Sequence, residues 1–116
     1  MASEVVMMFA TLGSRDEAER AGEKLVEMRL AACGSIIPTV HTFYFWEGRM
    51  RRNHEALLLL KTTREKVAEI EDFIRGETAY ELPDVLVVAV ESGLPQYLEW
   101  VLKEVREGQP RGSASC

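Results

Sequence analysis

The chain has 116 residues, of which 47% are hydrophobic and 28% charged, as fits one domain able to bury a core without metal or disulfide staples. Its net charge of -5 excludes a broad nucleic-acid-binding face, which needs clustered Lys and Arg to displace counterions. No apolar stretch approaches the roughly 20 residues of a membrane span, and the start Met1-Ala2-Ser3-Glu4 lacks the basic region of a signal peptide.

Val5 to Thr11, rich in Val, Met and Phe, predicts a short strand buried on both faces. Ser14-Arg15-Asp16-Glu17 is a capping box that starts a helix, with Ala18, Ala21, Leu25 and Met28 on one face. Gly22 weakens that helix but permits close approach of a neighbour. Ala31 to Gly34 are all small, so backbone packs closely there. Ser35-Ile36-Ile37 begins a second strand, and Pro38, which cannot donate to a ladder, marks an edge or a bulge.

Val40 to Trp46 continues as strand and carries four adjacent aromatics, Phe43, Tyr44, Phe45 and Trp46. Adjacent aromatics place bulk on both faces, so one face meets the domain core and the other calls for a partner subunit. Glu47-Gly48-Arg49 is a turn, and the dense basic run Arg49, Arg51 and Arg52 fits a solvated hairpin tip. Glu55 to Lys61 is the third strand and completes a long hairpin. Thr62 with Glu65 predicts a second capping box. Val67, Ile70, Phe73 and Ile74 form the buried stripe of the helix it starts, with Gly76 as its C-terminal cap. Thr78 to Pro83 is irregular, and Asp84 to Val90 is a fourth strand, apolar on both faces. Pro95 suits the first turn of a last helix, whose apolar face is Leu94, Tyr97, Leu98, Val101, Leu102 and Val105, with Trp100 beside it. Residues 1–107 are read as the single domain, and 108–116 as a disordered tail or cloning remnant.

This order predicts an α+β fold: a ferredoxin-like split βαβ sandwich, its antiparallel sheet carrying helices on one face, with an extra C-terminal helix. Such a sheet leaves its second face wet. Strands that are apolar on both sides therefore predict that another chain covers it.

The motifs resemble those of the CutA family of divalent-cation tolerance proteins over residues 5–105. The resemblance rests on Leu30-Ala31-Ala32-Cys33, Pro38, Tyr44-x-Trp46-x-Gly48, Glu55, Lys61-Thr62, Tyr80-Glu81-Leu82-Pro83, Gly93 and Tyr97-Leu98-x-Trp100, in this order and spacing. It implies a non-enzymatic, tight homotrimer with strands pairing between subunits, and a role in metal tolerance or in a small-molecule or signalling response. It also implies an architecture like that of the trimeric PII proteins, with inter-subunit clefts. The family commonly has Asn where this chain has Ser35, and His-Pro where it has Thr78-Ala79. The copper site proposed for the family uses a Cys and a His at the positions of Ala10 and Thr78, and an acid matched by Asp84. A soft or borderline cation such as Cu(II) wants thiolate or imidazole ligands. Asp84 alone is a weak candidate for Cu(II) or another divalent cation, so a genuine copper- or divalent-metal-binding protein is the alternative that the missing Cys and His disfavour.

Lys61, Tyr80 and Glu81, with Trp46, are the candidate cleft residues. One reading has Lys61 pairing with a carboxylate to tie the hairpin down; the other has it meeting an anion in an inter-subunit cleft, with Tyr80 stacking on that ligand. Cys33, Tyr44, Trp46 and Trp100 are the expected core or trimer anchors. His41 and His54 sit on opposite arms of the hairpin and are read as surface histidines; a metal site there needs more ligands, Glu55 being the nearest candidate. No catalytic triad and no Gly-rich phosphate loop is readable. Cys33 and Cys116, the only cysteines, make no disulfide framework, so a reducing cytoplasm is expected.

Overall fold

The computed structural model describes residues 4–106; the expectation of a disordered tail at 108–116 lies outside them. The elements run β1 (Val5–Leu12), α1 (Arg15–Glu27), β2 (Cys33–Trp46), β3 (Arg49–Thr63), a 3-10 turn (Arg64–Lys66), α2 (Val67–Glu77), β4 (Val85–Ala89) and α3 (Pro95–Arg106). The sheet order is β2-β3-β1-β4 with every pairing antiparallel, the ferredoxin-like arrangement that the order of elements predicts.

Local chemistry explains most boundaries. Ser14 caps α1 by accepting from the Glu17 amide at 3.2 Å. Arg29 follows α1 in the left-handed region, φ 60°, where glycine is usual. Its guanidinium donates to the Glu104 carbonyl at 3.0 Å and so ties this corner to α3. The hairpin turns on Glu47 and Gly48, both at positive φ, as a tight two-residue turn requires. Pro38 falls in the register shift between Ile37 and Val40, on edge strand β2, where its missing N–H costs nothing.

Two expected helix ends differ. Thr62 does not cap a helix: it is buried in β3, and its hydroxyl donates to the Leu30 carbonyl at 2.6 Å. The strand therefore runs on through Thr63. Gly76 lies inside α2, which ends at Glu77. The third strand is also longer than expected, because Arg49 to His54 pair with the far half of β2.

Side-chain alternation divides the sheet. Met8, Ala10, Leu12, Ala56, Leu58 and Leu60 face Ala18, Ala21 and Leu25 of α1 and Ile70 and Ile74 of α2, and together they form the main core. Met7, Phe9, Leu57 and Leu59 alternate onto the other face and are half-buried. Val5 and Cys33, at the end of that face, pack under Val101 and Val105 of α3 in a second cluster. Among the described residues, nothing covers the rest of this face. Leu86, opposite Phe9, is 63% exposed and Val88, opposite Met7, is 48% exposed.

Candidate functional site

The hairpin reaches beyond the body of the domain, and the segment between α2 and β4 folds back against it. Between them lies a cleft of about 430 Å³ lined by Thr42, Tyr44, Trp46, Arg51, Asn53 and Glu55 of the hairpin, Thr11 of β1, and Tyr80, Glu81, Leu82 and Asp84 of the loop. Pairing of Tyr44 with Arg51 and of Thr42 with Asn53 puts these side chains on one face. The shift at Pro38 sets that parity: without it, the β2 members would point to the opposite face.

A hydrogen-bonded pair forms the floor. Tyr80 Oη donates to Glu55 Oε2 at 2.7 Å, and Glu55 is buried. Burial first, then the hydrogen bond to Glu55 and its negative charge, push the Tyr80 phenol above its usual range, with Glu17 and Tyr44 adding to the effect. Asn53 Nδ2 donates to Tyr44 Oη at 2.9 Å. Asp84 accepts from Thr11 Oγ1 at 3.2 Å, and the Thr11 amide donates to the Asp84 carbonyl. Arg51 pairs loosely with Glu47 at 3.8 Å. The cleft thus offers three aromatic side chains, one guanidinium, an amide and three carboxylates. That set suits a small polar ligand with both donors and acceptors.

Of the residues singled out from sequence, Trp46, Tyr80 and Glu81 meet here, and Tyr44 and Asp84 join them. Lys61 does not. It stands on β3 opposite Cys33, and its Nζ donates to Cys33 Sγ at 3.8 Å. Glu55 takes the place at Tyr80 that the pattern suggested for Lys61. Cys33 is buried in the second cluster, against which Trp100 packs while stacking on Tyr97. Cys33 is not a free thiol.

The family's metal positions are otherwise occupied. Ala10 is 1% exposed in the main core, Thr78 accepts from the Tyr80 amide, and Asp84 holds Thr11. Among the described residues, no group of three or more His, Cys, Asp or Glu converges. An ion that wants nitrogen or sulfur ligands finds neither in this cleft.

Tyr80 gives a direct test of the floor. Its folded pKa is raised, so the retained proton stabilises the fold fully below the usual value near 10, and that stability is lost as pH climbs through the folded value. In an ultraviolet titration, Tyr80→Phe should leave the phenolate signal gained up to about pH 10 unchanged. It should also cost about 1–3 kcal/mol, because Glu55 then lacks its donor. A signal that falls by one tyrosine would mean that Tyr80 is freely solvated.

A family model described as CutA1 divalent ion tolerance protein matches residues 6–104. A divalent-cation tolerance protein CutA from Archaeoglobus fulgidus is 35% identical over 94 residues, covering 81% of this chain and 91% of that one. The human protein CutA is 36% identical over 93 residues, covering 80% of this chain and 52% of its own length. This chain spans 52–62% of the plant and animal relatives it matches. Among solved structures, CutA from Xylella fastidiosa superposes with TM-score 0.85 at 34% identity, covering 89% of this chain and 99% of that one. CutA1 from Shewanella sp. SIB1 gives TM-score 0.87 at 27% identity, with 92% and 100% covered.

Proposed function

From the premise that this chain belongs to the CutA1 divalent ion tolerance family, we propose that it acts as a non-enzymatic homotrimer. Its role is in divalent-cation tolerance, exerted by binding a small polar ligand in the hairpin cleft, which a neighbouring subunit completes. The observation that carries this reading is the uncovered sheet face. Met7, Phe9, Leu57, Leu59, Leu86 and Val88 form one apolar surface with helix cover at one end only. Contiguous apolar surface of this extent marks an interface. Three-fold closure buries the same patch on every copy and leaves no open end.

The non-enzymatic part rests on the chemistry of the cleft. Its carboxylates are engaged by Tyr80 and Thr11 or sit on the exposed rim. The bound Glu55–Tyr80 pair is suited to holding shape. Light scattering on a size-exclusion column should give about 39 kDa for three 13.1 kDa subunits. The melting temperature should rise with protein concentration, because dissociation accompanies unfolding. A 13 kDa species whose melting temperature does not change with concentration would overturn the trimer.

A further inference from the structure

The hairpin carries a second constellation on the face opposite the cleft. His41 and His54 are direct register partners on β2 and β3. Their ring centroids are 4.3 Å apart, with the planes tilted by 45°. Both residues are exposed. Glu55, the nearest carboxylate in sequence, points the other way and is held by Tyr80, so it is not a ligand. On the histidine face the nearest charged side chain along either strand is Arg52, opposite Phe43.

We propose that His41 and His54 form a two-imidazole site for a tetragonal transition-metal ion, Cu(II) in preference to Ni(II) or Zn(II). The spacing fits that geometry. With metal–nitrogen bonds of about 2.0–2.1 Å, two imidazoles bound at right angles have ring centres about 4.5 Å apart, whereas tetrahedral ligands place them about 5 Å apart. The 4.3 Å separation matches the right-angle case. The β-ladder fixes both backbones, so little ordering is needed on binding and two weak ligands act as one chelate. Solvent supplies the remaining positions, since both rings are exposed. Nitrogen-and-oxygen sites of this kind favour Cu(II) in the divalent series. This site is separate from the cleft and does not depend on the function proposed for it.

The test is titration of the whole protein with Cu(II), followed by calorimetry and by electron paramagnetic resonance. The expected result is one ion per chain, nitrogen hyperfine structure from two imidazoles, and a melting temperature that rises with added Cu(II). His41→Ala and His54→Ala should each cost about tenfold or more, because the chelate is lost in either one. His41→Gln and His54→Gln, which keep a polar side chain on the strand, should behave the same way with unchanged melting temperature in the absence of metal. Binding that survives both single replacements, or a spectrum with one nitrogen, would overturn the site, as would a failure to bind.

Discussion

Leu86→Asp is expected to convert the trimer into folded monomers. Leu86 is 63% exposed in the single chain and pairs with Phe9 across β1 and β4. In an isolated subunit the change is mild, because the new carboxylate stays in water and β4 is an edge strand, where charge is tolerated. In a closed trimer the same carboxylate enters an apolar seam beside Phe9 and Met7. Burying an unpaired carboxylate costs several kcal/mol or forces it to take up a proton. The cost also recurs in each subunit, so association fails before folding does. Light scattering should show a mass near one subunit, with far-ultraviolet circular dichroism retained. Met28→Asp, at an exposed position at the end of α1 in the helix layer, is the control and should remain trimeric. A Leu86→Asp protein that is trimeric and equally stable would mean that this face is open to water.

That the second face is apolar and not solvated was already present in the residue pattern. Val5 to Leu12 alternates between residues buried by helices and residues that are apolar but only half-buried. A strand with one solvated face would carry polar side chains at Met7 and Phe9. Features governed by near neighbours were readable in the same way. Ser14 with Glu17, Glu47-Gly48 and Pro38 act within a few residues, and each stands where its chemistry demanded. Thr62 failed as a cap because a distant carbonyl, that of Leu30, took its hydroxyl. Nothing in the local pattern carries that competition.

The cleft was half legible for a related reason. Trp46, Tyr80 and Glu81 are conspicuous residue types in a polar context. Their meeting depends on a loop folding back across the hairpin, which joins residues 25 apart at Glu55 and Tyr80 and 73 apart at Thr11 and Asp84. Lys61 looked like the natural partner because it ends an apolar run. Its strand position instead places it opposite Cys33 and Met7, at the end of the sheet away from the hairpin tip. From the sequence, Glu55 stands as part of the family pattern and as a candidate ligand beside the histidines, not as the partner of Tyr80. A carboxylate immediately followed by Ala56 and the apolar run was the available signal, since burial begins there.

Leu58→Ala should be the most damaging core replacement made by truncation alone, at about 2–5 kcal/mol. Leu58 is fully buried on β3, within the core that α1 covers. The side of α1 above it has been thinned to a glycine: a Cβ on Gly22 would come within 3.1 Å of Leu58 Cδ1. Glycine is therefore kept inside α1, at a helix cost of about 1 kcal/mol, because Leu58 fills the space an alanine methyl needs. It follows that the two positions are coupled. Gly22→Ala alone sets the helix gain against a tight contact that only the end of a flexible side chain can relieve, so its net effect should be small. In Leu58→Ala the contact is gone, and the new methyl occupies part of the cavity. The double variant should then be more stable than Leu58→Ala by about 1 kcal/mol or more. Urea unfolding of all four proteins at one protein concentration measures the coupling. Strict additivity would mean that α1 shifts away from the sheet when Leu58 is cut back, and that Gly22 serves no packing purpose.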